Sequence, residues 1–531
     1  MDHRTVAYAL GRLTSITGLM LLVPTILAMW DHRGVDPFLH FEVIAFAATA
    51  VVCLILGRVL ANQGSEEDLD PGIREGFAIV TFGWLLLALL GSIPLLVWFL
   101  HPEGGARGAE PFAAFTDAFF EIMSGFTTTG STILFDIEAL PRPLLLWRSL
   151  THWLGGMGII TLALAVFPAI GVGGYQMFRG EVPGPATERL RPRLAETAKI
   201  LWGVYAVLTA AEAGLLALAG MDAFDALNHA FATIATGGFS TRNGSIGAYQ
   251  SPTIEWIVIV FMFLAGTNFL LHYRLLFFRD LNGYLKNREF HVFFALVVVA
   301  AGVLAAGMAL QGVSAPETGA GSWQVEPMAP RAFEAHLVAE DARFDSAEGA
   351  IRTALFQTLA IVTGTGFGTA DFDVWPHAAR FLLVLLMFGG ACAGSTSGGL
   401  KLYRIILIWK VLVRNVRKSF RPHLVAPLKM NRQTVDEDVA SHAVGFALLF
   451  LTIFAVATLA MTCFVDDLTT AATSVVATLA NIGPALSGVG PTQSFGWMPS
   501  EAKWVLSLCM LLGRLEIYTV LALFSRSFWS R

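Results

Sequence analysis

Apolar runs of helical length follow one another along nearly the whole chain, at residues 7–30, 41–61, 79–100, 144–167, 200–219, 254–278, 292–310, 378–413 (a broken run), 443–464 and 505–524. The hydrocarbon core of a bilayer is covered by roughly 20 apolar helical residues, so the pattern predicts ten crossings. No small-residue cleavage site follows the first run, which reads as a retained helix and not as a signal peptide. Composition agrees: of 531 residues 55% are hydrophobic and only 14% charged, against about 25% charged in an ordinary soluble domain. The fold class expected is an all-α polytopic membrane protein.

The polar connections divide by charge. Residues 179–199 hold five basic residues, 274–288 four and 401–432 nine. The positive-inside rule makes these segments cytoplasmic, and the count of crossings then puts the N-terminus there too. Between consecutive cytoplasmic segments the chain crosses outward, carries a further short apolar piece, and returns.

Four such pieces end in a glycine turn: "AFFEIMSGFTTTG", "ALNHAFATIATGG", "ALFQTLAIVTGTG" and "AATSVVATLANIG", closing on Gly130, Gly238, Gly366 and Gly483. Thirteen positions before each glycine stand Asp117, Asp225, Thr353 and Thr470, all helix N-cap types. A matching span follows each turn: "LGGMGI" around Gly156, "LAGTNF" around Gly266, "GGACAG" around Gly390 and "LGRLEI" around Gly513. The repeat glycines lie 108, 128 and 117 residues apart. The chain therefore reads as four parallel helix, half-helix, helix repeats around a central pore. Two additional transmembrane helices precede them, with divisions at 1–70, 71–180, 181–288, 289–432 and 433–531. Glycines also let helices pack closely, but packing does not explain one offset kept four times behind a segment too short to span.

Irregular backbone at membrane depth is tolerated where it is buried in protein or lines a water-filled cavity. Carbonyl rings there replace a cation's hydration shell, and half-helix C-termini add negative potential. The candidate filter is Thr128, Thr129 and Gly130; Thr236, Gly237 and Gly238; Gly364, Thr365 and Gly366; and Asn481, Ile482 and Gly483. None of the turns holds an acidic residue, which favours a monovalent ion over calcium.

Beneath the third turn, "GGACAGSTSGG" at 389–399 interrupts a span after an apolar stretch too short to cross, so the break lies within the membrane. Its five glycines make a poor helix. Gly389, Gly390, Gly394, Ser395, Thr396, Gly398 and Gly399 are candidate gate residues, with Arg514 from the last span bonding loop carbonyls and raising a barrier to cations. Arg514 and Glu516, two positions apart, require separate partners. Lys401, just beyond the loop, is placed to anchor its cytoplasmic end, but snorkelling to the interface is the preferred reading. His152, His229 and His272 read as structural hydrogen bonders, and as the first groups to examine if protons are coupled.

The four glycine turns, "FGGACAGSTSGGLK" and "GRLEIYTV" resemble the Trk/Ktr/HKT superfamily of potassium transporters over nearly the whole chain, and the extra helix pair is most similar to its bacterial TrkH branch. The resemblance implies potassium-selective uptake, with K+ as the transported ion and glycine at position 130 marking potassium preference. It also implies a homodimer in the bacterial inner membrane, an intramembrane gating loop with its arginine, and control by a cytoplasmic ring of nucleotide-binding TrkA-type subunits. A proton-coupled symporter is the alternative within this class.

A membrane-embedded enzyme would need a nucleophile with its base, or a metal motif, at membrane depth. Neither is present in the sequence. The glycine-rich 171–176 follows a membrane helix and opens no βαβ unit, so no nucleotide site is expected on this chain and no nucleic-acid partner. Cys53, Cys392, Cys463 and Cys509 lack paired spacing, arguing against disulfides or a cysteine zinc site. The basic 179–199 and 414–432 are candidate docking segments for a regulatory partner or anionic lipid, and 311–344 is expected to be a solvated outer insertion.

Overall fold

A computed structural model describes residues 1–33, 40–64, 72–101, 110–165, 190–311, 342–423, 426–431 and 433–529. Nearly all of the 311–344 insertion, the 171–176 segment and most of the basic 179–199 stretch lie outside those residues.

The described residues are predominantly helical. Helices α1 (His3–Asp31) and α2 (Phe41–Ala61) form an antiparallel pair in which Gly11 and Gly57 bring the two backbones together, since a Cβ on either would strike the other helix. They lead into α3 (Ile73–Gly91) and α4 (Ile93–Leu100), which run on as one span. The first repeat continues with α5 (Pro111–Phe126) and α6 (Arg142–Ala165), the second with α7 (Leu190–Leu218), α8 (Ala223–Ile234), α9 (Pro252–Ala265) and α10 (Phe269–Phe278). After the short α11 (Asn282–Lys286) come α12 (Arg288–Gln311), α13 (Ala347–Thr363), α14 (His377–Met387) and α15 (Leu402–Phe420). A two-residue-per-strand hairpin (Lys429–Met430, Gln433–Thr434) precedes α16 (Glu437–Met461), α17 (Leu468–Leu479), α18 (Ser500–Arg514), α19 (Tyr518–Ala522) and α20 (Arg526–Trp529).

Among the described residues six helices are long and apolar enough to cross a bilayer unbroken. Their outward faces carry exposed residues such as Leu218, Leu310 and Leu459, a pattern that lipid, not water, accommodates. The other expected crossings differ in kind. The span around 144–167 is one continuous helix that carries Arg148. The expected span 254–278 is instead broken: α9 and α10 meet at 101° across Gly266, Thr267 and Asn268, and the Asn268 side chain caps α10 by accepting from Leu270 N–H. The expected span 505–524 also breaks, between α18 and α19, where Glu516 and Ile517 take φ of 58° and 46°.

The four half-helices α5, α8, α13 and α17 are buried along most of their length. Their N-caps are Glu110, Asp222, Ser346 and Asp467, not Asp117, Asp225, Thr353 and Thr470. The half-helices extend further back than the repeat offset suggests, so those four residues lie inside the helices. Asp117 there pairs with Lys503 (2.6 Å), and Asp225 accepts from Thr241, Arg242 and Tyr249.

Candidate functional site: a ring of four glycine turns and the layer beneath it

Each half-helix ends in the same backbone turn. Thr128, Thr236, Gly364 and Asn481 take φ of 51°, 55°, 74° and 55°, and two residues later Gly130, Gly238, Gly366 and Gly483 take 81°, 81°, 70° and 103°. A left-handed residue other than glycine costs roughly 1–2 kcal/mol, and three of the four turns hold one at the same place. Strain stored at a recurrent position marks a site where backbone direction matters. Alternating left-handed and ordinary residues turns successive carbonyls toward the same side of the strand. The turns close on their own helices through Thr129 N–H to Ser124 O (2.9 Å), Gly237 N–H to Ala232 O (2.8 Å) and Ile482 N–H to Ala477 O (2.8 Å), and in the third repeat through Gly366 N–H to Ala360 O (2.9 Å).

The turns meet one another in chain order. A Cβ on Gly130 would strike Gly237 O, one on Gly238 would strike Thr365 O, and one on Gly366 would strike Ile482 O. On Gly483 it would come within 2.8 Å of Thr129 O, which closes the circle. All four glycines line a cavity of about 240 Å³ on one side of the ring. The two charged residues on that vestibule's wall, Arg148 and Arg242, are each paired, with Glu121 (2.8 Å) and Asp225 (3.0 Å). Hydroxyls stiffen the turns, Thr127 to Thr129 (2.8 Å) and Thr363 to Thr365 (2.7 Å). Asn481 donates to Thr129 Oγ1 (2.9 Å) and Met510 O (3.0 Å), tying the fourth turn to the first and to α18.

Nine residues before each glycine stands a fully buried polar side chain, Glu121, His229, Gln357 and Ser474, of which the first three face the strand that leaves the turn. Glu121 accepts from Ile133 N–H (2.9 Å) and from Arg148 Nε (2.8 Å), whose Nη1 donates to Ser240 O of the next repeat (3.2 Å). His229 Nε2 pairs with Ser240 Oγ (2.9 Å). The Gln357 amide lies against Thr369 and Ala370, and with its oxygen turned to the strand it accepts from Thr369 N–H (3.0 Å) and Ala370 N–H (3.1 Å). In the fourth repeat the neighbouring Thr473 Oγ1 takes this place, accepting from Leu486 N–H (3.3 Å), while Ser474 bonds its own helix.

Directly beneath the ring the 389–399 segment is non-helical, as expected. It is pinned at its base by Gly390 N–H to Leu400 O (2.8 Å) and Leu402 N–H to Ala391 O (3.1 Å). The break in the second repeat receives it: Cys392 N–H donates to Gly266 O (3.0 Å), and Phe269 N–H to Gly394 O (3.1 Å). Thr396 Oγ1 donates to Ile234 O at the end of α8 (3.0 Å). Gly398 lies so close under the fourth turn that a Cβ would stand 2.6 Å from Ala480 O. Arg514, buried, donates from Nη1 to Thr396 O (2.7 Å) and from Nη2 to Gly155 O of α6 (2.9 Å). One guanidinium thus joins loop, first repeat and fourth repeat. Glu516 pairs with Arg404, so it and Arg514 do have separate partners.

Lys401 does not snorkel outward. Its Nζ turns back onto Ser397 O and anchors the loop. The three histidines are hydrogen bonders with both ring nitrogens engaged. His152 bonds Gly125 O and Phe239 N–H; His229 bonds Asp225 O and Ser240 Oγ; and His272 bonds Leu264 O and Tyr284 Oη. Glu121, Arg148 and Arg404 were not read from the sequence, although an ionisable residue inside an apolar span was the available signal. Glu212 in α7 was missed in the same way; it is buried beside Thr233 of α8 and has no ion-pair partner among the described residues.

Known proteins share this architecture. The TrkH family model, described as cation transport protein, matches residues 43–531. A Trk system potassium uptake protein TrkH from Escherichia coli (strain K12) is 38% identical over 534 residues, covering 100% of both chains. The TrkH of Halomonas elongata is 36% identical, again over 100% of both. The crystal structure of the potassium transporter TrkH from Vibrio parahaemolyticus superposes with a TM-score of 0.83 at 32% identity, covering all of each chain. The chain belongs to the TrkH family of cation transport proteins and is a transporter, not an enzyme.

Proposed function

We propose that this chain takes up potassium through the ring of glycine turns, which acts as a carbonyl filter, and that the 389–399 loop with Arg514 gates the path beneath it. The observation that carries this reading is the closed circle of turns, each glycine seated against the carbonyl of the next repeat. Carbonyl oxygens aimed at a common axis replace the hydration shell of a monovalent cation. Thr128, Thr129 and Gly130, Thr236, Gly237 and Gly238, Gly364, Thr365 and Gly366, and Asn481, Ile482 and Gly483 supply them. The loop crosses under this ring and is held by charged side chains, Arg514 on Thr396 O, Lys401 on Ser397 O and Glu289 on Ala393 N–H, an arrangement that blocks conduction until the arginine contacts yield. The relatives' names support potassium as the ion.

The same reading makes the chain a homodimer of the bacterial inner membrane with its N-terminus in the cytoplasm. A cytoplasmic nucleotide-binding subunit regulates it, docking on the basic segment that includes Arg414, Arg417 and Lys418. Proton-coupled symport is the second reading, and Glu212 is the feature that favours it: a titratable group at membrane depth beside a pore half-helix, without an ion-pair partner among the described residues.

The test is flux in liposomes. Gly130→Ser adds a side chain at a left-handed position against Gly237 O, and it should lower the potassium over sodium permeability ratio about tenfold, equivalent to about 1.4 kcal/mol. An unchanged ratio would sink the filter assignment. Potassium accumulation driven by an imposed proton gradient, and lost in Glu212→Gln, would decide for symport.

A further inference from the structure

The vestibule-side ends of α1 and α2 hold a polar cluster that neither the ring nor the loop uses. His32 is the C-cap of α1, His40 the N-cap of α2, and Glu42 lies in the first turn of α2. Asp31, beside His32, pairs with Arg142 at the start of α6 (3.0 Å), which fixes the side of the membrane. Glu42 is only 8% exposed. The two imidazoles lie face to face, centroids 3.6 Å apart and planes 7° from parallel. His32 Nε2 stands 3.5 Å from Glu42 Oε2, long for a charge-assisted hydrogen bond. His40 Nε2 and Glu42 Oε2 are buried with no hydrogen-bond partner among the described residues. Buried polar atoms are almost always satisfied, so two orphans facing one cluster require an explanation. One ligand atom from each of the three residues lies within 4.8 Å of the other two.

We propose that His32, His40 and Glu42 bind a divalent transition-metal ion, with zinc the best fit. Two imidazole nitrogens and one carboxylate oxygen form a ligand set that zinc takes at about 2.0–2.2 Å, with water in the fourth position. Magnesium and calcium prefer all-oxygen shells, and the absence of sulfur from the set disfavours Cu(I). Tetrahedral coordination brings ligand atoms to ~3.4 Å of one another, which side-chain rotation supplies, with the stacked rings splaying to aim at one ion. The bound metal engages both orphaned atoms. It also pins the end of α1 to the start of α2 and, through Asp31 and Arg142, to the helix that packs behind the first glycine turn.

The test uses the purified full-length chain, free of affinity tag, in detergent micelles. Zn2+ is titrated by calorimetry and Co2+ by visible absorption. Expected are saturable binding of one ion per chain, ligand-field bands of a four-coordinate site without thiolate charge transfer, and a loss of affinity of ~10-fold or more in Glu42→Gln and in His40→Gln. A thiolate band would assign the metal to the exposed Cys463 and overturn the site. Unchanged affinity in both variants would overturn it too. Absence of saturable binding to the unmodified chain would do so without any variant having to fold.

Discussion

The ring of glycine turns and the layer directly beneath it descend from the same fourfold repeat, yet only the ring has stayed alike. Four turns share their backbone angles, their offsets and their fit against the next repeat. One turn lower, the four matched segments part company. Around Gly156, α6 runs through unbroken; at Gly266 the chain bends by 101°; around Gly390 the helix is replaced by a loop; and beyond Gly513 it breaks at Glu516 and Ile517. On the proposed reading an ion on the axis would be shared by all four turns, so each would contribute equivalently. A movable obstruction would require freedom in only one repeat, with the others shaped to receive and hold it. Symmetry in the ring and its loss in the layer below follow from that reading.

Substitutions can break or sharpen this contrast. The largest effect is expected behind the ring, where Glu121→Ala strands the buried Arg148; losing one partner of such a pair costs about 3–5 kcal/mol. Thermal unfolding followed by size exclusion should show it, and a shift near zero would mean that this pair does not support the turn. Next comes the ring itself. Gly238→Ala places a methyl group against Thr365 O at a left-handed position, and the potassium over sodium permeability ratio should fall about tenfold, or about 1.4 kcal/mol, with little change in folded yield. Beneath the ring, Arg514→Ala removes a buried charge and two interrepeat bonds. Basal flux should rise several-fold, equivalent to the ~1 kcal/mol that a nearby charge contributes to a cation's barrier in a water-filled path. The smallest effect belongs to Ser474→Ala. Its hydroxyl bonds only Ala471 O of its own helix, so under about 1.5 kcal/mol of stability is at stake. A loss at Ser474 equal to that at Glu121 would contradict the view that equivalent positions do unequal work.

The same contrast explains what could be read without coordinates. The turns were legible because glycine at a fixed offset from a short apolar piece leaves a signal that repeats four times. The 389–399 loop was legible because five glycines cannot sustain a helix. The bend at Gly266 was not, since one glycine and Asn268 inside 25 apolar-rich residues look like ordinary packing, and only the loop lodged against Gly266 O reveals why the helix opens there. The half-helix starts were misplaced because alignment finds equivalent residues, whereas capping depends on where each chain happens to enter. Glu121, His229, Gln357 and Ser474 share a position but no chemistry, so the repeat pattern does not join them; His229 was legible only as a buried hydrogen bonder and Glu121 only as an acid in an apolar segment. Lys401 was misread for a related reason: a lysine after a span usually reaches outward, and nothing local shows that Ser397 O lies within its reach.

The measurement that bears most directly on a symmetric selector above an asymmetric gate is potassium and sodium flux through Arg514→Ala and the unmodified chain in the same liposome preparation. The predicted result is a several-fold rise in potassium flux with an unchanged potassium over sodium ratio. A ratio that collapses together with the rise in flux would contradict it, because ring and gate would then be one structure and not two.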